Sequence, residues 1–166
     1  GDPLYRLECT AAASRPVAGS LDTALDHLAV IGLAYAVGAA EGALALSVQH
    51  AKDRHQFGRP IGSFQAVAHR CADMRAEVDA CRVLAHRAAW ALDRDDDLEL
   101  SIASALAYAN DALRRVAMHA HQVHGAIGFS TEHDLHLFTR RIKAYELSYG
   151  STARHQERLA TAIGLQ

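Results

Sequence analysis

The stretch Arg54-His55-Gln56-Phe57-Gly58-Arg59-Pro60-Ile61-Gly62-Ser63-Phe64-Gln65 lies between two long amphipathic helical patterns. A plain helical hairpin needs only a short polar loop. This one is basic, carries aromatics and is punctuated by glycine. Arg54 can clamp a phosphate, Phe57 offers a stacking face, and the glycines let backbone come close to a ligand. The stretch therefore reads as a helix–helix connection that also docks something anionic and flat.

Working outward, both flanks are helical. Before it, Leu21, Leu25, Leu28, Gly32, Tyr35, Ala39, Gly42 and Leu46 recur in steps of four and three, one stripe of a long helix. Small residues at 32, 39 and 42 invite a neighbouring helix to approach closely, and they favour association of the domain with itself or a partner. After it, Val67, Cys71, Met74, Val78, Cys81, Ala85, Ala88 and Leu92 form a second stripe, which ends in the solvated run 93–97. Ile102, Leu106, Ala109, Leu113, Val116, Ala120 and Val123 form a third, stopped by Gly125 and Gly128. A fourth helix is expected to be capped by Ser130 or Thr131, with Glu132 to Asp134 in its first turn. Its buried face carries Leu135, Phe138, Ile142 and Tyr145, and Gly150 breaks it before a short last helix from about Thr152. The pattern predicts an all-α protein: an antiparallel, up-down four-helix bundle over residues 21–166 with a short C-terminal helix. Residues 1–20, with Pro3, Pro16 and Gly19, read as a β or irregular remnant in which Leu4, Tyr5, Leu7 and Cys9 make one short strand. That segment reads as the tail of a preceding domain, and the chain as a piece of a larger protein.

Composition sets limits. The 166 residues suffice for one domain with a real core. With 17 basic against 19 acidic residues, a nucleic-acid binder relying on a broad basic face is not expected. The longest uncharged apolar run, 28–40, falls short of the roughly 20 residues of a membrane span, so no span is expected. Three cysteines without CxxC spacing suit a reducing, cytoplasmic setting. His119, His121 and His124 cluster, as do His133 and His136, but the Glu-x-x-His pairs of a metal-binding bundle are absent from the sequence, and no metal is expected.

Two further stretches complete the reading. In Gln122-Val123-His124-Gly125-Ala126-Ile127-Gly128-Phe129 a glutamine projects near a helix end, and the turn after it can lay backbone N–H groups against a cofactor. Arg140-Arg141-Ile142-Lys143 then leads to Tyr145-Glu146-Leu147-Ser148-Tyr149-Gly150-Ser151.

In this order and on these helices, the three stretches resemble the C-terminal helical domain of the flavin-dependent acyl-CoA dehydrogenases. The resemblance covers roughly residues 20–166. Arg54-x-Gln56-Phe57-Gly58 followed by Gln122-x-x-Gly125-x-x-Gly128 is specific as an ordered pair, and Glu132-His133-Asp134-Leu135-His136 is similar to a branch found in bacterial lipid and sterol side-chain catabolism. The resemblance implies FAD as cofactor, held by Arg54, Gln56, Phe57 and Gln65 and, from the second motif, by Gln122, Gly125 and Ala126, often across a subunit interface. Ala126 stands where the family usually has a second glycine. The implied substrate is an acyl-CoA, oxidised to the 2,3-enoyl-CoA. The implied partners are acyl-CoA dehydrogenase-like subunits, in a homo- or hetero-oligomer, and an electron acceptor such as an electron-transfer flavoprotein.

The departure is at the base. The family removes the substrate α-proton with a Glu placed before a Gly-Thr pair, and that position here is Tyr149. A phenol with an ordinary pKa of about 10 is a poor acceptor at neutral pH. The alternative position on the first helix carries Leu28. The sequence thus points to an FAD-holding partner subunit whose base comes from another chain. Two alternatives stand beside it: a complete enzyme with Glu146 as displaced base, and a non-redox helical module that has lost flavin.

Overall fold

The computed structural model describes residues 8, 10, 21–94 and 97–165; Leu4, Tyr5, Leu7 and Cys9, expected to make a strand, lie outside them. Five helices follow in order: α1 (Leu21–Asp53), α2 (Gln65–Arg94), α3 (Leu98–His124), α4 (Leu135–Ser148) and α5 (Thr152–Ala162). The all-α bundle predicted from the periodicity is the observed architecture. α3 is its centre and packs against the other four helices, while α1 also meets α2 and α4.

The stripes of α2, α3 and α4 face the core as read, with Val67, Cys71, Leu92 and Phe138 half-buried at its margin. Met74, Val78, Cys81, Ala85 and Ala88 face inward from α2, and Leu135, Ile142 and Tyr145 from α4. Cys81 serves as a small hydrophobe, and burial pushes its thiol up to about 12. The stripe on α3 is wider than a single line. Ala103, Ala105 and Ala107 are buried beside Ile102 and Leu106, because α5 folds back onto α3.

The stripe read on α1 is corrected. Leu21, Leu25, Leu28 and Tyr35 are exposed; Ala39 of the expected stripe is buried, on a face that runs through Ala29, Val30, Leu33, Ala36, Val37, Ala40, Ala43, Leu44, Ser47 and Ala51. α1 is apolar nearly all round, so more than one line of four-and-three steps can be drawn on it. Close packing selected the alanine-rich line, where a neighbouring backbone can come nearest. α1 is also long and apolar enough to cross a bilayer, which the 28–40 run concealed, and half of its most apolar window is buried in the bundle.

Gly32 and Gly42 are occupied from within the chain. A Cβ at Gly32 would collide with the Tyr149 ring, and one at Gly42 with the Phe138 ring. The expected close approach is therefore made by aromatic side chains of the α4 segment. Asp26 of α1 and Glu99 of α3 both take Arg158 of α5, at 3.1 and 2.7 Å, pinning three helices together.

Three helix ends follow local chemistry. Gly125 caps α3 with φ 65°, and Gly150, at φ 107°, separates α4 from α5. Ser151 caps α5 by accepting the Arg154 amide. The expected cap of α4 is displaced: the helix starts at Leu135, and Ser130 Oγ instead accepts the Glu132 amide in the preceding turn.

Candidate functional site

The connection after α1 is a small β-hairpin rather than an open loop. β1 (His55–Gln56) pairs antiparallel with β2 (Arg59–Pro60), with His55 opposite Pro60 and Gln56 opposite Arg59. Its two turn residues, Phe57 and Gly58, both have positive φ, 54° and 77°, which is the type I′ pattern that twists with the strands. Glycine adopts this freely, whereas phenylalanine does so at a cost of about 1–3 kcal/mol. The result is an aromatic ring held 91% exposed at the tip of the hairpin. Behind it Phe64 meets Phe57 edge-on at 6.1 Å, and the Arg59 guanidinium lies 4.2 Å over the Phe64 ring. The foot of the hairpin is closed by the Ile61 amide donating to Arg54 O at 2.8 Å.

The second motif emerges at the same end of the bundle. His50 of α1 stacks on His124 of α3 with centroids 4.6 Å apart, so the hairpin and the α3 terminus are neighbours although far apart in sequence. After Gly125 the chain continues as a 3-10 turn, Gly125–Phe129. Phe129 lies exposed, stacked on His121 at 4.5 Å. Ala126 has no positive φ, so its methyl is compatible with the backbone there. Gly128 is the position that needs glycine, because a Cβ would press on the backbone-proximal carbon of His124 and on Leu135.

All seven predicted cofactor residues, Arg54, Gln56, Phe57, Gln65, Gln122, Gly125 and Ala126, are exposed. They point away from the core of their own chain. The set fits a flavin dinucleotide: a guanidinium for a pyrophosphate, a phenyl face for a ring system, side-chain amides for heteroatoms, and an open glycine. The family resemblance proposed these residues. It missed Arg59, Phe64 and Phe129, which extend the aromatic surface, and His50, which joins the two motifs. Phe64 and Phe129 stood in the quoted stretches, and their place beside glycine turns was the available signal.

The base region lies away from this end, at the C-terminus of α4. The Tyr149 ring rests on Gly32 and is tilted against Tyr145, with centroids 5.4 Å apart. Glu146 Oε2 accepts from Lys143 Nζ at 2.9 Å, and Glu146 lines an open groove of about 320 Å³ between α3 and α4. Leu28 is 52% exposed. Asp26, its near neighbour, is committed to Arg158. Among the described residues no three His, Cys, Asp or Glu side chains converge as a metal site.

Fold and site together define a helical domain of the acyl-CoA dehydrogenase type. A family model for the acyl-CoA dehydrogenase C-terminal domain matches residues 19–164, and the chain belongs to that family. It is 39% identical over 159 residues to the acyl-CoA dehydrogenase FadE34 of Mycobacterium tuberculosis, covering 95% of this chain and 22% of that protein. Among solved structures it resembles butyryl-CoA dehydrogenase from Megasphaera elsdenii, with TM-score 0.78, 31% identity, and coverage of 84% of this chain and 36% of that one. It is equally similar to the ChsE4–ChsE5 complex from Mycobacterium tuberculosis, with TM-score 0.80, 31% identity, and coverage of 86% and 39%. The chain thus spans less than half the length of these proteins.

Proposed function

We propose that this chain is the C-terminal domain of an FAD-dependent acyl-CoA dehydrogenase and acts as an FAD-holding partner subunit whose base comes from another chain. The observation that supports the reading is Tyr149: at the position where the resemblance expects a carboxylate, a phenol is packed on Gly32. FAD, when bound, accepts the hydride that leaves the acyl β-carbon. The part of this chain is to bind and orient. Arg54 neutralises a phosphate, Phe57 covers one face of a ring, and Gln122 with the Gly125 turn closes the site from α3. Because these groups face outward, their ligand lies between this chain and another body, which supports an oligomer of acyl-CoA dehydrogenase-like subunits. The exposed line Leu21, Leu25, Leu28, Ile31 and Tyr35 is the face on which the rest of the assembly rests, and α1 is a core helix rather than a membrane anchor. Acyl-CoA is the substrate class, in fatty-acid or sterol side-chain catabolism, and electrons leave to an acceptor such as an electron-transfer flavoprotein. The unpaired Cys71 and Cys81 suit a cytoplasmic setting.

Two measurements on the full-length complex test this. Arg54→Ala is expected to weaken FAD binding by roughly 10- to 100-fold, since a hydrogen bond to a charged group contributes about 1.5–3 kcal/mol; unchanged FAD content and affinity would remove Arg54 from the site. Glu146→Gln is expected to leave flavin bleaching by acyl-CoA nearly intact, because Glu146 is held by Lys143. Loss of bleaching with folding and FAD content preserved would make Glu146 the base, since an amide cannot accept the proton.

A further inference from the structure

Three imidazoles meet between the hairpin and the end of α3. His124, the last residue of α3, is 5% exposed. His50 stacks on it at 4.6 Å with planes 25° apart, and His133 of the α3–α4 connection meets it edge-on at 4.7 Å and 67°. Hydrogen bonds assign two of the protons. His124 Nδ1 donates to Ala120 O at 2.8 Å, which leaves the lone pair on Nε2, and that buried atom has no partner. His133 Nδ1 accepts the Leu135 amide at 3.1 Å, which puts its hydrogen on Nε2.

Both cofactor-facing motifs hang from this cluster. His50 O accepts the Arg54 amide at 2.9 Å, so the place of His50 sets the foot of the hairpin. His124 directly precedes Gly125, where the chain turns into the second motif. The ionisable groups facing the pair are Asp53 from α1, Arg54 from the hairpin foot, His121 from α3 and His133 from the connection. Asp53 is the one carboxylate among them, and it faces His50. A proton on His124 would therefore be buried among cations and other imidazoles.

We propose that His50 and His124, backed by His133, are positioning residues that hold the hairpin and the α3 terminus in register for the flavin dinucleotide, and that they do so only while unprotonated. The inference builds on the flavin reading above. Burial foremost, with neighbouring positive charge, holds both rings below the ordinary imidazole value. An opened joint regains that value, about 6.5. The closed joint is thus fully favoured above about pH 6.5 and loses ground as pH falls below it, because the open form takes up protons that the closed form refuses.

The test is hydrogen exchange of residues 54–61 and 122–129 in the full-length protein from about pH 5 to 8, corrected for intrinsic rates, with FAD fluorescence followed in parallel. Wild type should lose protection at the Ile61 amide and release FAD together, with a midpoint below about pH 6.5. His124→Phe keeps an aromatic stack that cannot take a proton and should flatten both profiles. His50→Phe, at a half-buried position, should move the midpoint lower and serves if His124→Phe does not fold. A flat wild-type exchange profile, or variants that titrate like wild type, would overturn the joint. A protein without FAD at any pH whose hairpin still opens with the imidazoles would support the joint and overturn its assignment to flavin.

Discussion

Val78→Asp is expected to abolish cooperative folding of the bundle. Val78 is 0% exposed on α2, in line with Met74 and Cys81, which are equally buried. A carboxylate there enters the buried apolar core of the bundle. Arg115 of α3 is already bound to Glu77, and Arg75 and Arg82 of α2 are already bound to Asp79. An uncompensated buried charge costs about 3–5 kcal/mol, a large share of the roughly 5–15 kcal/mol that holds a domain together. Val83→Asp on the same helix is the control. Val83 is 67% exposed, and substitution at such a site should change stability by no more than about 0.5 kcal/mol. Thermal unfolding followed by circular dichroism separates the two, and a Val78→Asp protein that melts like the parent would refute the register of α2.

The contrast between α1 and α2 shows what periodicity can tell. On α2 the apolar line is flanked by Arg75, Glu77, Asp79, Arg82 and Arg87, so only one face could be buried, and the register was legible. On α1 the leucines at 21, 25 and 28 made a line as regular as the true one, and nothing polar opposed it. The decision fell to close packing of alanine against neighbouring helices, a tertiary property that a one-dimensional pattern does not carry. The candidate cofactor residues stood out for a different reason. Arg54, Phe57 and Gln122 announce themselves by type and by neighbouring glycines. The hairpin was not legible, because two-residue strands are shorter than any strand pattern and Phe57 sits at a φ that its type disfavours. The His50–His124 stack lay beyond reach because the partners come from the C-terminal ends of two helices far apart in sequence.

Gly42→Leu is expected to be the second most damaging change, and it decides what the small residues of α1 are for. In the sequence, Gly32, Ala39 and Gly42 look like a landing strip for a helix of another subunit. In the structure Phe138 of α4 lies over Gly42, so close that a bare Cβ would overlap its ring. Overpacking a core contact costs about 1–3 kcal/mol, and leucine adds four carbons where none fits, so the loss should reach the top of that range. Leucine's better helix propensity, worth about 1 kcal/mol over glycine, offsets part of it. Gly38 isolates that term. A Cβ there meets nothing, so Gly38→Ala should stabilise by about 1 kcal/mol, or about 2–4 °C in a protein of this size. Phe138→Ala combined with Gly42→Leu should recover much of the loss, since the two residues share one space and their effects should not add. If Gly42→Leu instead left the melting temperature unchanged and lowered the oligomeric state in sedimentation, the glycine would serve a neighbouring chain, and the packing of α4 on α1 would have to be redrawn.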